Sequence, residues 1–329
     1  MGWLELIKYS NDIILNSNFT IRRNIEGYKF PHAMDYDEKM EVNDIIKKIY
    51  GDDFFMISDL TDEVRENLVE NFVIPRGFDD ENAAVVIKDG YVIAVNVEDH
   101  LAINVFDFGL DLEGAFDRAY EVENFLDSKL DFAFDLKFGY LSSDAGIIGD
   151  GIDLKYKMFL FGLLKEIENY VSVKATLQYN KLTLDKYLPY EENDYADDIY
   201  IIINNGNYFN DTRKRILKIE DIIDTITSGE KKFRRDYNLL YNESGDDVRE
   251  NISIIYSNLE NSKLESITQM ADSLYKLKKY NLLGYDTKLN KEQIDYLLFN
   301  LQKSKYQLQR DPERYEFLKN YMEEINGSK

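Results

Sequence analysis

The densest apolar patterning in the chain lies between residues 84 and 107. Ala84-Val85-Val86-Ile87 is followed by Lys88-Asp89-Gly90 and then by Tyr91-Val92-Ile93-Ala94-Val95. Asp-Gly between two apolar runs predicts a β-hairpin, because glycine supplies the positive φ of a tight reversal. Further strands are predicted at Leu101–Phe106, Val171–Gln178 and Ile199–Asn204, all rich in Ile, Val or Tyr. Helical spacing marks Leu112–Leu130 and Leu154–Tyr170. Short strands with interposed helices predict an α+β domain whose sheet is largely antiparallel and flanked by helices.

After Asp236 the character changes. Asn242-Glu243-Ser244-Gly245-Asp246-Asp247 is a polar breaker cluster and the expected linker. Beyond it the pattern is helical throughout: Val248–Leu259, Leu264–Tyr280 stopping at Gly284, and Ile294–Leu301. Asn290 with Gln293 has capping-box spacing, and Asp311-Pro312 supplies an N-cap and a proline at the first helical position. The expected organisation is one α+β domain over residues 1–240 and a small all-α domain over residues 246–329.

Composition sharpens this picture in three ways. With 329 residues, 44% apolar, the chain can bury a sizeable core. It has no cysteine and two histidines, His32 and His100, so thiolate and histidine-built metal sites are not expected. No stretch reaches the length of a membrane span, and Met1-Gly2-Trp3-Leu4-Glu5-Leu6 lacks a basic head, so a cytoplasmic location is expected. The net charge of −22 is uneven: residues 1–245 carry 27 Lys and Arg against 48 Asp and Glu, and residues 246–329 carry 13 against 14. An acidic field of this kind disfavours nucleic acid and anionic membrane and favours basic partners, though it also serves plain solubility.

Several segments carry a resemblance. Ser17-Asn18-Phe19-Thr20-Ile21-Arg22-Arg23-Asn24-Ile25-Glu26-Gly27-Tyr28-Lys29-Phe30-Pro31 is similar to S-R-I-R-L-A-R-N-x-x-G-Y-P-F-P, and Asn96-Val97-Glu98-Asp99-His100 is similar to N-E-E-D-H. Phe138–Ser143 resembles L-G-Y-L-T-S, and Gly149-Asp150-Gly151 stands where G-T-G is expected. These are motifs of the McsB-type protein-arginine kinases of the ATP:guanidino phosphotransferase family, which includes the creatine and arginine kinases. Arg310-Asp311-Pro312-Glu313-Arg314 resembles that group's R-D-x-x-R-A, with Tyr315 in place of the alanine.

Transfer of a γ-phosphoryl group to a guanidinium needs a cationic cradle for magnesium-ATP and carboxylates that orient the acceptor. The resemblance implies five cradle arginines, and at those positions this chain has Asn18, Thr20, Ala102, Asp153 and Lys186. Lysine lacks the bidentate fork of arginine. Arg22, Arg23, Lys155 and Lys157 are candidate substitutes, none at a matching position. The loop cysteine is replaced by Asp144. On the acceptor side, Glu98 matches the glutamate that contacts the guanidinium, and Asp194 falls near the second one; alternatively Glu98 and Asp99 close a strand end. Arg310, Asp311 and Arg314 match the residues that recognise phosphoarginine; alternatively Asp311 caps a helix and Arg314 pairs with an acid. The glycines at 146, 149 and 151 read as turn glycines rather than a phosphate loop.

The expectation is therefore a catalytically degenerate relative, a pseudokinase that binds phosphoarginine or a kinase partner as an adaptor or regulator. The alternative is an active but divergent kinase of protein arginine side chains. No cofactor is expected under the first reading, and ATP with magnesium only under the second. Expected partners are arginine-phosphorylated or basic proteins and an active homologue, in a homodimer or heterodimer.

Overall fold

The computed structural model describes residues 12–107, 111–187, 198–204, 211–241, 245–260, 267–307 and 316–321. Contacts divide the chain into two compact units: Met1–Met158 with Val171–Asp185 and Ile201–Ile226, and Phe159–Tyr170 with Lys186–Tyr200 and Thr227–Lys329.

The first unit is built on strand β1 (Ile14–Arg23), which lies inside an eight-stranded sheet. The other strands of that sheet are β2 (Phe54–Met56), β3 (Ala84–Lys88), β4 (Tyr91–Val95), β5 (Leu101–Asp107), β8 (Ile152–Phe159), β9 (Leu182–Lys186) and β10 (Ile199–Asn204). Their order is β2-β3-β4-β5-β1-β8-β10-β9, and the pairs from β2 through to β8 are all antiparallel. A separate hairpin pairs β6 (Phe134–Asp135) with β7 (Gly139–Tyr140). The predicted hairpin at 84–95 and the strands at 101–106 and 199–204 are all present.

Helix α1 (Tyr36–Tyr50) opens on a full capping box. The Asp35 carboxylate accepts from the Glu38 N–H at 3.0 Å, and the Glu38 carboxylate accepts from the Asp35 N–H at 3.1 Å. Helix α3 (Leu112–Asp127) was legible from its apolar spacing, and it buries Leu112, Ala115, Ala119 and Leu126. It covers the sheet face to which β1 contributes Phe19 and Ile21; the Phe19 and Phe116 rings meet edge to face at 5.9 Å.

Helix α2 (Asp62–Glu70) covers the opposite face. It stops because Phe72 takes a positive φ of 61°. The N–H of Val73 then returns to the Leu68 carbonyl at 2.8 Å, and Val73 and Ile74 drop into an apolar cluster with Leu68, Val85, Val92, Ala94 and Ala102.

Two expectations fail here. Leu154–Tyr170, predicted as helix, begins as strand β8; Ile152, Leu154, Tyr156 and Met158 alternate with Asp153, Lys155 and Lys157, which is the strand period of two. Val171–Gln178, predicted as strand from its β-branched content, lies within helix α4 (Ile167–Tyr179). Only Leu177 of that helix is buried, so its solvated positions carry no apolar stripe for the period to mark.

In the second unit the described residues after Thr227 form helices joined by a loop at 283–290, with no strand among them, as expected. The long helix α5 (Thr212–Tyr241) ends in this unit, followed by α6 (Gly245–Glu260), α7 (Ile267–Leu282) and α8 (Lys291–Gln307). Val248, Ile252, Leu259, Met270, Leu274, Leu277, Ile294 and Leu297 form one core. Gly284 takes φ +88° after α7, and the Tyr285 N–H returns to the Tyr280 carbonyl at 3.0 Å. The Asn290–Gln293 box is reciprocal, with both bonds at 2.9 Å. The buried Lys278 ammonium reaches Asp295 at 2.6 Å and ties α7 to α8. Among the described residues, no helix is long and apolar enough to cross a membrane.

Candidate functional site

Strand register decides which predicted residues meet. On β1, Thr20 lies opposite Asn104 of β5 and Asp153 of β8, Asn18 lies opposite Lys155, and Arg22 lies opposite Ala102. Directly opposed residues share a face, so Asn18, Thr20, Arg22, Ala102, Asp153 and Lys155 stand together on the side covered by α2. Four of the five positions implied for the cradle are therefore brought together. The fifth, Lys186, is the exposed last residue of β9, in the second unit.

That face is filled by the chain itself. The Asn18 amide donates to Asn104 Oδ1 at 2.9 Å and to the Asn71 carbonyl at 3.0 Å, and Thr20 Oγ1 donates to the same Asn104 oxygen at 2.9 Å. The Asn16 amide donates to Asn71 Oδ1 at 2.9 Å. Glu66, Asn67, Glu70 and Asn71 are all buried. Lys157, buried on β8, lies 3.8 Å from Glu70, and burial pushes its ammonium below the usual lysine range despite that carboxylate. This network pairs most of its own donors and acceptors, with the buried Asn16 Oδ1 left over.

At the end of this face Arg22 is gripped from two sides. Its guanidinium donates to Glu98 through one terminal nitrogen and to Asp153 through the other, the second at 2.7 Å. Burial works against the guanidinium's charge, but Asp153 and then Glu98 outweigh it and hold its pKa above the ordinary value. Burial likewise pushes the Asp153 carboxyl up, and Lys155, at 3.2 Å, together with Arg22 reverses this and holds it below the ordinary value. Arg22 and Asp153 are buried, whereas the Glu98 side chain is 48% exposed. The guanidinium that Glu98 holds is the chain's own.

The rest of the Asn96–His100 segment positions the backbone. Asp99, buried, accepts from the Asn24 amide, the Ser142 hydroxyl and the Ser143 N–H, each at 2.7 Å. His100 Nδ1 accepts from the Ile25 N–H at 2.9 Å, so Nε2 carries the proton and donates to the Lys29 carbonyl at 2.8 Å. Burial holds this imidazole below its usual pKa. Of the strand-end pair, Asp99 binds the neighbouring backbone and side chains as described, while Glu98 pairs with Arg22.

Gly151 explains itself by close approach. Its φ is +69°, its carbonyl accepts from the Arg22 N–H at 2.7 Å, and a Cβ there would stand 2.6 Å from the Arg22 carbonyl oxygen. This is a strand-entry glycine, in keeping with the turn reading. Arg23, the next side chain of β1, points to the other face and meets Glu123 at 2.9 Å. Asp194, Arg310, Asp311 and Arg314 lie outside the described residues. Among the described residues no group of three or more His, Asp or Glu is placed to hold a metal ion.

Sequence reasoning named Arg22 as a candidate cradle substitute but missed its pairing with Glu98 and Asp153, and it missed the residues of α2 that close the face. Its usable signal was the strand alternation Asn18-Thr20-Arg22, which aims all three at one side.

Comparisons with known proteins bear on the family and the fold. The family described as ATP:guanido phosphotransferase, C-terminal catalytic domain, matches residues 36–233. A protein-arginine kinase of Halothermothrix orenii is 29% identical over 252 residues, covering 74% of this chain and 71% of its own. One of Bacillus cereus is 26% identical over 298 residues, covering 86% and 82%. Among solved structures, lombricine kinase superposes with a TM-score of 0.56 at 18% identity, over 74% of this chain and 71% of its own.

Proposed function

The chain belongs to the ATP:guanido phosphotransferase family, and within it we propose a pseudokinase related to the protein-arginine kinases. It retains the fold and reads phosphoarginine, or docks a kinase partner, through residues 246–329. The observation that carries this reading is the Arg22 guanidinium held between Glu98 and Asp153. An incoming arginine would meet a Glu98 carboxylate whose charge is already engaged by a buried guanidinium.

The nucleotide side supports the same reading. Arg22 and Lys155 are balanced by Glu98 and Asp153, and Lys157 is balanced by Glu70, so these six groups offer a triphosphate no net attraction. Loss of one transition-state donor costs on the order of 10²–10³ in rate, and four cradle positions here hold Asn18, Thr20, Ala102 and Asp153. The face does not fit magnesium-ATP, so no phosphoryl-transfer step is derived from it.

One observation favours an active, divergent protein-arginine kinase instead. Arg22 stands directly across the strand pair from Ala102, so a guanidinium lost from β5 is returned to the same face from β1. The two readings separate in paired calorimetric titrations: magnesium-ATP should bind only an active kinase, and phosphoarginine tests the reader role. The pseudokinase reading expects binding that Arg310→Ala or Arg314→Ala abolishes; no binding, or binding indifferent to both substitutions, would remove the reader role.

A further inference from the structure

The side of the sheet away from Arg22 holds a cleft of about 510 Å³ in the first unit. Ile21 and Arg23 of β1 form its floor, Phe116 and Tyr120 of α3 one wall, and Phe134 and Tyr140 of the β6–β7 hairpin the other. We propose that this cleft docks an extended protein segment carrying an apolar anchor flanked by lysines or arginines.

The floor has no charge to spare. Arg23 spends Nε on Glu123, donates to the Arg22 and Asp150 carbonyls at 2.8 and 2.9 Å, and stacks on the Tyr140 ring at 3.5 Å. Asp150 is in turn held by Arg215. Lys137 is the exposed cation of the lining, set over the Phe138 ring at 5.0 Å; a phosphate would meet that single ammonium amid carboxylates, whereas an uncharged anchor meets aromatic walls.

The rim is apolar. Leu136 is 99% exposed, beside the exposed Phe134, Phe138 and Tyr120. An apolar tip this open marks a contact surface. It is also rigidly presented: the Asp135 carboxylate accepts from the Lys137 and Phe138 N–H groups at 2.8 and 3.0 Å. Gly139 packs so closely on Gly149 that a Cβ would meet its carbonyl oxygen at 2.5 Å. A fixed anchor surface loses little entropy when it is covered.

The surroundings select the sign of the partner. Residues 111–150, which supply both walls, carry ten Asp and Glu against three Lys and Arg. The nearby Arg213 is already held by Glu113 and Asp117. Negative charge remains in excess, as Glu220 reports: burial and then Asp111 and Glu113 push its carboxyl above the usual range. Such a field steers and retains basic segments, and the Tyr120 and Phe134 faces can carry cation–π contacts with them. The site is independent of chemistry on the opposite face, so its test also stands apart from that of the pseudokinase reading.

The test is fluorescence anisotropy of the full chain with two labelled peptides of equal length, one alternating leucine with arginine and the other leucine with glutamate. The proposal expects binding of the basic peptide alone, weakened roughly tenfold by Leu136→Asp and by Tyr120→Ala. Leu136→Asp is diagnostic because its added negative charge would strengthen a purely electrostatic contact. The same affinity in both variants, or equal binding of the acidic peptide, would overturn the proposal. So would sedimentation showing a wild-type dimer that Leu136→Asp dissociates, since a second copy would then own the surface. Retention of binding in Arg22→Met is expected, and its loss would contradict the placement on the far face.

Discussion

Arg22→Met is the most informative single perturbation of the first unit. Methionine keeps the aliphatic stem and removes the guanidinium, leaving Asp153 buried with only Lys155, at 3.2 Å, to balance it. Removing one partner of a buried ion pair costs about 3–5 kcal/mol. Glu98 is half exposed and relaxes into water, and Lys155 remains, so the lower end, about 3 kcal/mol, is expected. Arg22→Met/Asp153→Leu removes both buried charges and should return to within about 1 kcal/mol of wild type, a recovery of roughly 2 kcal/mol. Urea unfolding followed by far-UV circular dichroism measures all three proteins. The pH dependence adds a sign. In the wild type the depressed Asp153 pKa contributes stability that is present above the ordinary carboxylate range and lost as pH falls through the depressed value. In Arg22→Met that carboxyl can take a proton in mild acid, so the gap between the two proteins should narrow as pH is lowered. A single-mutant cost below about 1 kcal/mol, or a double mutant no better than the single, would refute the buried-pair argument.

Gly151→Ala places a Cβ at φ +69° against the Arg22 carbonyl and should cost about 1–3 kcal/mol in the same unfolding assay. His100 should stay neutral to lower pH than a free imidazole, its protonation opposing the fold; NMR titration of the two histidine rings reads this directly, and an ordinary His100 titration would contradict its burial. Asn290→Ala removes the side-chain acceptor of the Gln293 N–H in the α8 capping box and should lower stability by about 1 kcal/mol, whereas Asn290→Ser should restore most of it.

Much of the fold was legible because the signals were local. The Asp89-Gly90 hairpin, the Asn290–Gln293 box and the apolar stripe of α3 each lie within a few residues of one another. Strand β1 gave no such signal: its polar Asn16, Asn18, Thr20 and Arg22 are buried in a network rather than solvated, so burial does not follow hydrophobicity there. Strand β8 was misread because its period of two was taken for helical spacing, and α4 because its β-branched content stood in for the apolar stripe it lacks. Glu98 was found by resemblance, but its partner was not. Arg22 meets Glu98 across 76 residues and Asp153 across 131, and only the register of three strands brings them together.

The central claim is that the face once suited to nucleotide is closed by the chain's own charges and amides. Calorimetric titration of the purified full chain with magnesium-ATP tests it most directly. The account predicts no saturable heat at millimolar nucleotide, in the wild type and in Arg22→Met alike. Micromolar binding, lost when Arg22 is replaced, would contradict it and make that arginine a relocated member of a working phosphate cradle.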